Sequence, residues 1–181
     1  MREVDKQTRF SRRGVLRAGA TAVPAAAFIG STISATAAWA ETATSITPHA
    51  MATMALVARD IYPHDHIVDL FYIKAVTPWD ARSAKDPAIR DMILEGIARL
   101  DKDARDKHGA DYLGVGWEAD RVKLLGGIED SKFFRTVRAD LVVSLYNQPE
   151  IWAKFGYEGS SAEYGGYLNR GFNDIDWLPS V

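Results

Sequence analysis

The chain has 181 residues, 47% apolar and 25% charged, the composition of a globular protein and not of a disordered one. Its net charge of −2 is uneven: residues 1–40 hold six basic and two acidic residues, so residues 41–181 carry −6. That acidic balance argues against nucleic acid as a partner, and a cysteine count of 0 excludes disulfides, thiolate metal sites, Cys-ligated clusters and covalent haem attachment through C-x-x-C-H.

The first element is an export segment. Ser11-Arg12-Arg13-Gly14-Val15-Leu16-Arg17 is a twin-arginine block, and an uncharged run follows from Ala18 to Ala40. The run is only mildly apolar, Pro24 interrupts it, and it ends in the small-x-small triplet Ala38-Trp39-Ala40 before Glu41. A basic region, a soft apolar run and an A-x-A site in that order predict a twin-arginine signal over residues 1–40. The alternative keeps residues 18–40 as an anchor. The twin-arginine route moves folded chains. It therefore suits a protein that acquires a cofactor or a partner before transport, and it places this one in the periplasm or on the periplasmic face of the inner membrane.

Residues 41–48 are polar and are expected to be a linker. His49 to Ile61 has a helical apolar period, stopped by Pro63. Ile67 to Thr77 is apolar nearly all round, and its length and position favour a helix. Asp86-Pro87 is an N-cap with proline at the first helical position, and Ile89, Ile93, Ile97 and Leu100 form one stripe that His108-Gly109 closes. Trp117 to Ile128 continues the pattern. Ser131 caps a helix running to Tyr146, and Pro149 starts a last turn ending at Phe155. These elements predict an all-α domain over residues 49–155, a compact bundle of five or six helices. Residues 156–181 are rich in glycine and aromatics without a period and predict an extended, irregular arm.

Gly114-Val115-Gly116-Trp117-Glu118-Ala119 matches G-x-G-x-x-A, but a dinucleotide fingerprint needs a buried strand before it. Here a loop after a helix precedes it, so a tight turn is expected. His64-Asp65-His66, with Asp69 beyond, is the one His/carboxylate cluster. It reads either as metal ligands in a loop or as a loop whose Asp65 caps the next helix. Neither cofactor-binding, metal-binding nor catalytic residues are assigned, because no HExxH, G-x-S-x-G, P-loop or carboxylate dyad occurs. The aromatic residues at the C-terminus suit an interface, where such side chains are enriched. The candidates for contact with a partner are Phe155, Tyr157, Tyr164, Tyr167, Phe172 and Trp177.

Several segments together resemble a known family. They are Leu56…Asp60-Ile61-Tyr62-Pro63…Asp65, Met92-Ile93-Leu94-Glu95-Gly96-Ile97…Leu100-Asp101, Ser131-Lys132-Phe133-Phe134-Arg135, Tyr146-Asn147-Gln148-Pro149-Glu150-Ile151-Trp152 and Phe155-Gly156-Tyr157-Glu158-Gly159. With Gly165-Gly166-Tyr167…Gly171-Phe172…Asp176-Trp177 they are similar to the gluconate 2-dehydrogenase subunit 3 family. The resemblance implies a small, non-catalytic subunit of an exported flavin dehydrogenase. Its large partner, of the glucose–methanol–choline type, binds FAD and oxidises a sugar, sugar acid or polyol; a c-type cytochrome subunit commonly takes the electrons. The small subunit stabilises the large one and carries it through the twin-arginine translocase. The rival expectation is a free-standing periplasmic helical enzyme or binding protein, with metal or sugar held at His64, Asp65 and His66.

Overall fold

The computed structural model describes residues 37–168 and Phe172; Arg12, Arg13 and Trp177 lie outside the described residues. The body is all-α. Its helices are α1 (Pro48–Ile61), α2 (Asp69–Val76), α3 (Pro78–Lys85), α4 (Pro87–His108), α5 (Glu118–Gly126) and α6 (Lys132–Ser144). A single α-turn, Pro149–Trp152, follows them. Among the described residues no strand forms. Tight 3-10 turns cover Ala37–Thr42, Tyr112–Gly114, Ala153–Phe155 and Ser161–Tyr164.

Helix α1 is the axis of the body. Thr47 caps it by accepting the Ala50 N–H at 3.1 Å, and Pro48 occupies the first turn. Every side chain from Ala50 to Ala58 is buried. A helix buried on all sides needs neighbours all round, and α2, α4, α5, α6, the Tyr112 turn and the Ala37–Thr42 turn supply them. Alanines 50, 52, 55 and 58 let those neighbours come close, while Met51, Met54, Leu56 and Val57 fill the space between. Burial of each larger side chain stabilises the fold by about 1.5–3 kcal/mol.

The outer helices bury one stripe each. In α4 it is Ile93, Ile97, Leu100 and Ala104. Asp86 accepts the Ala88 N–H at 2.9 Å at one end, and Gly109, at φ 74°, closes the other. In α6 it is Phe133, Val137 and Leu141, started by the Ser131 hydroxyl, which accepts the Phe134 N–H at 3.1 Å. Gly96 is where these two helices meet. A β-carbon on it would lie 2.6 Å from the Phe133 Cβ, so the absent side chain is what lets α6 pack there.

Three local features differ from the sequence reading. Residues 78–85 form a helix of their own, burying only Trp79 and Ser83 one turn apart. Val68, not Asp65, is the N-cap of α2, and no side chain caps it. Residues 41–48 do not run free. The Asp80 carboxylate in α3 accepts the backbone N–H groups of Thr44 (3.0 Å), Ser45 (2.8 Å) and Ile46 (3.0 Å), together with the Thr44 hydroxyl (3.1 Å).

Polar groups join the core from four elements. The Arg121 guanidinium in α5 grips Asp60 in α1 with two bonds, Nε to Oδ2 at 2.7 Å and Nη2 to Oδ1 at 2.8 Å. The Tyr112 hydroxyl donates to the same Oδ2 at 2.7 Å. Burial first, then the Asp60 charge, raises the Tyr112 pKa far above that of free tyrosine, so the phenol stays a donor. The Tyr112 N–H donates to Asp101 of α4 at 3.0 Å, and Asp101 meets His49 Nε2 at 2.6 Å.

Two predictions follow from this packing. Asp60→Ala leaves the Arg121 charge buried without its carboxylate, at a cost of about 3–5 kcal/mol; chemical denaturation should show that loss, and Asp60→Leu with Arg121→Met should recover much of it. Gly96→Ala should lower the denaturation midpoint, although alanine is the better helix former by about 1 kcal/mol. An unchanged or raised midpoint would mean that Phe133 has room to move.

Candidate functional site

The loop between α1 and α2 carries the His64-Asp65-His66 cluster, and its backbone is firmly held. Tyr72 donates its hydroxyl to the Tyr62 carbonyl at 2.6 Å. Ile67 is buried, and its N–H donates to the His64 carbonyl at 3.1 Å. Arg59 reaches Asp69 at 3.0 Å and so ties α1 to the start of α2. Desolvation, the largest influence on it, pushes the Tyr72 phenol up to about 12, so this tie does not ionise in the physiological range.

The far end of the chain closes over that loop. His64 Nε2 lies 2.7 Å from the Tyr146 hydroxyl, just past the end of α6. The Phe155 ring sits edge-on to three others, with centroids 5.1 Å from His64, 5.2 Å from His66 and 5.6 Å from Tyr146. Tyr62 adds a further edge contact to Tyr146 at 5.6 Å. Such edge-to-face contacts are each worth about 0.5–1.5 kcal/mol beyond their buried area. Phe155 remains 42% exposed, so the cluster has an inner face on the body and an outer face in solvent.

From there the arm folds back once before leaving. Gly156, at φ 69°, reverses the chain after Phe155. The Tyr157 ring packs edge-on to Trp152 at 5.2 Å, and its N–H donates to the Trp152 carbonyl at 3.0 Å. Trp152 is itself fixed, donating its indole N–H to the Tyr146 carbonyl at 2.9 Å. Gly159 lies against the Trp152 ring. Tyr164, at the end of the Ser161–Tyr164 turn, and Tyr167 and Leu168 after it are exposed, and Phe172 is 80% exposed.

The six arm candidates therefore fall into three groups. Phe155 and Tyr157 are exposed but make ring contacts to the body. Tyr164, Tyr167 and Phe172 are each more than half exposed. Trp177 lies outside the described residues, as do Arg12 and Arg13 of the twin-arginine pair. Val68 and Leu70, next to the His66 loop in the chain, expose further apolar surface. Trp117, 79% exposed at the N-cap of α5, is one aromatic that the sequence reading placed in a helix without marking its exposure. Its helix has no side-chain cap and its stripe begins at Arg121, which is the signal that Trp117 stands outside the core.

The other sequence candidates take structural places. Gly114 to Gly116 follows a 3-10 turn and no strand, and its carbonyls point at Arg121: Nη1 donates to Val115 at 2.9 Å and to Gly116 at 3.3 Å. A phosphate cradle needs free N–H groups, but those of Gly114 and Val115 already donate to Asp111 Oδ1 at 2.9 Å and to the Tyr112 carbonyl at 3.3 Å, so this geometry is a packed turn. Among the described residues no three His, Cys, Asp or Glu side chains are grouped so as to hold a metal ion. A groove of about 480 Å³ runs between α4 and the start of α6, lined by Asp91, Glu95, Arg99 and Lys132 around Met92 and Phe133. Among the described residues no helix is long and apolar enough to cross a membrane.

The chain matches no protein-family model, no curated protein and no solved structure.

The His64 packing sets a pH prediction. Burial, then the neighbouring His66, lowers the His64 pKa below 6.5. The unfolded chain therefore binds the proton more readily, and stability rises with pH between the lowered value and 6.5 and falls on acidification through that window. Imidazole proton resonances should show His64 titrating below 6.5, and His64→Asn should remove that part of the pH dependence. Titration at or above 6.5 would contradict the packing.

Proposed function

We propose that the chain is the small, non-catalytic subunit of a periplasmic FAD-dependent sugar or polyol dehydrogenase, built to hold and escort a larger flavoprotein of the glucose–methanol–choline type. The observation that carries this reading is the outer aromatic surface: Phe155 and Tyr157 are anchored on the body by ring contacts, and Tyr164, Tyr167 and Phe172 each expose more than half of their surface. Exposed large aromatics at this density are more than a monomer needs for its own core. They are of the residue classes that dominate permanent interfaces.

The identity of the partner comes from the sequence. The motif order from Leu56 to Trp177 resembles the gluconate 2-dehydrogenase subunit 3 family, and Arg12-Arg13 stands in front of it as a twin-arginine pair. Folded export makes sense of that combination, because a flavoprotein loaded in the cytoplasm can leave with a subunit that bears the signal. FAD then belongs to the partner, and a c-type cytochrome is the expected acceptor.

The test is co-purification from native cells. The tagged chain should bring down a large protein with flavin absorbance, and removal of residues 1–40 should leave that protein in the cytoplasm. Changing Tyr164, Tyr167 and Phe172 together to serine should cut the recovered flavin at least about 30-fold, the loss of one strong hot spot, while the helical content of the chain stays unchanged. A wild-type chain that comes out alone overturns the reading, as does a triple variant that keeps its flavin.

A further inference from the structure

Residues 38–40 have the sequence of a processing site, but the structure folds that site into the body. A signal-type cleavage site is read by its small side chains. Presenting them to a protease groove calls for extended backbone, paired as an added strand. Ala37–Thr42 is instead a 3-10 turn packed against α1. Ala40, whose side chain would have to enter the peptidase, is 1% exposed. Its carbonyl, the one that cleavage would attack, accepts the Ala43 N–H at 3.1 Å. The Thr42 hydroxyl donates to the Trp39 carbonyl at 2.7 Å, and Trp39 packs on the core.

The chain downstream is equally constrained. Asp80 holds the backbone of Thr44, Ser45 and Ile46, and Ile46 is buried. Thr47 then caps α1. Extension of the Ala40–Glu41 junction therefore requires Ala40 and Trp39 to leave the body, while Asp80 holds the backbone that follows from Thr44 and limits how far the segment can move.

We propose that folding shields the Ala40–Glu41 bond, so that the exported chain keeps its N-terminal segment. The proposal rests on reading residues 1–40 as a twin-arginine leader. A chain delivered unfolded would present the junction to the peptidase before the turn forms. A chain delivered folded presents it only in the small fraction of time that the segment opens.

The experiment uses the purified full-length chain and a bacterial signal peptidase in detergent, with intact mass as the readout. A synthetic peptide of residues 31–46 should be cut between Ala40 and Glu41. The folded chain should be cut at least about a hundredfold more slowly, since cleavage then tracks the open population. Asp80→Ala should speed cleavage about tenfold or more with helical content unchanged. Should that variant fail to fold, sub-denaturing urea on the wild type serves instead, and the rate should climb with denaturant before the body unfolds. Equal rates for peptide and folded chain overturn the proposal. So does an uncut peptide, because the bond would then be resistant by sequence and not by fold. None of these outcomes depends on a flavoprotein partner, so they are scored separately from co-purification.

Discussion

The body depends on one buried ion pair. Asp60 comes from the central helix and Arg121 from a short outer helix, 61 residues later in the chain. Burying two charges is expensive, and the cost is met only when the geometry is good and every remaining donor finds an acceptor. Here the geometry is good, and four of the five guanidinium N–H groups are hydrogen-bonded. The guanidinium makes two bonds to the carboxylate and two more to the Val115 and Gly116 carbonyls, and the carboxylate takes a further bond from Tyr112. The pair thus does more than link two helices: it sets the path of the loop from Tyr112 to Trp117. Through Asp101 the same network reaches α4 and the first turn of α1.

With that loop fixed, the remaining helices surround α1 by simple packing. Small residues on the axis bring its neighbours close, and Gly96 does the same between α4 and α6. The consequence for the surface is that the α1–α2 loop and the end of α6 meet at one place. Phe155 needs both sides of that junction, because its partners are His64 and His66 from one and Tyr146 from the other. The base of the C-terminal arm is therefore positioned by the core.

Much of the helical layout could be read from local chemistry. Asp86-Pro87, Ser131, Pro149 and Gly109 mark helix ends because the physics that sets them lies within a turn of each residue. The stripe of α4 was readable for the same reason. Helix α3 was not, since two buried side chains in a polar stretch make no visible period. Asp65 had the right residue type for a cap, yet the backbone turns into a helix three residues later, at Val68. The Asp60–Arg121 pair and the His64–Tyr146 contact join positions 61 and 82 residues apart, and no local pattern predicts such partners. In the site, the aromatic residue types were legible; which of them rest on the body was not.

The reversal at Gly156 and the clasp of Tyr157 on Trp152 have an energetic implication of their own. They pin the root of the arm a fixed distance from the Phe155 surface. For any molecule that touches both, the second contact forms at a high local concentration instead of from free solution. Two individually weak grips then multiply, and release requires both to let go at once.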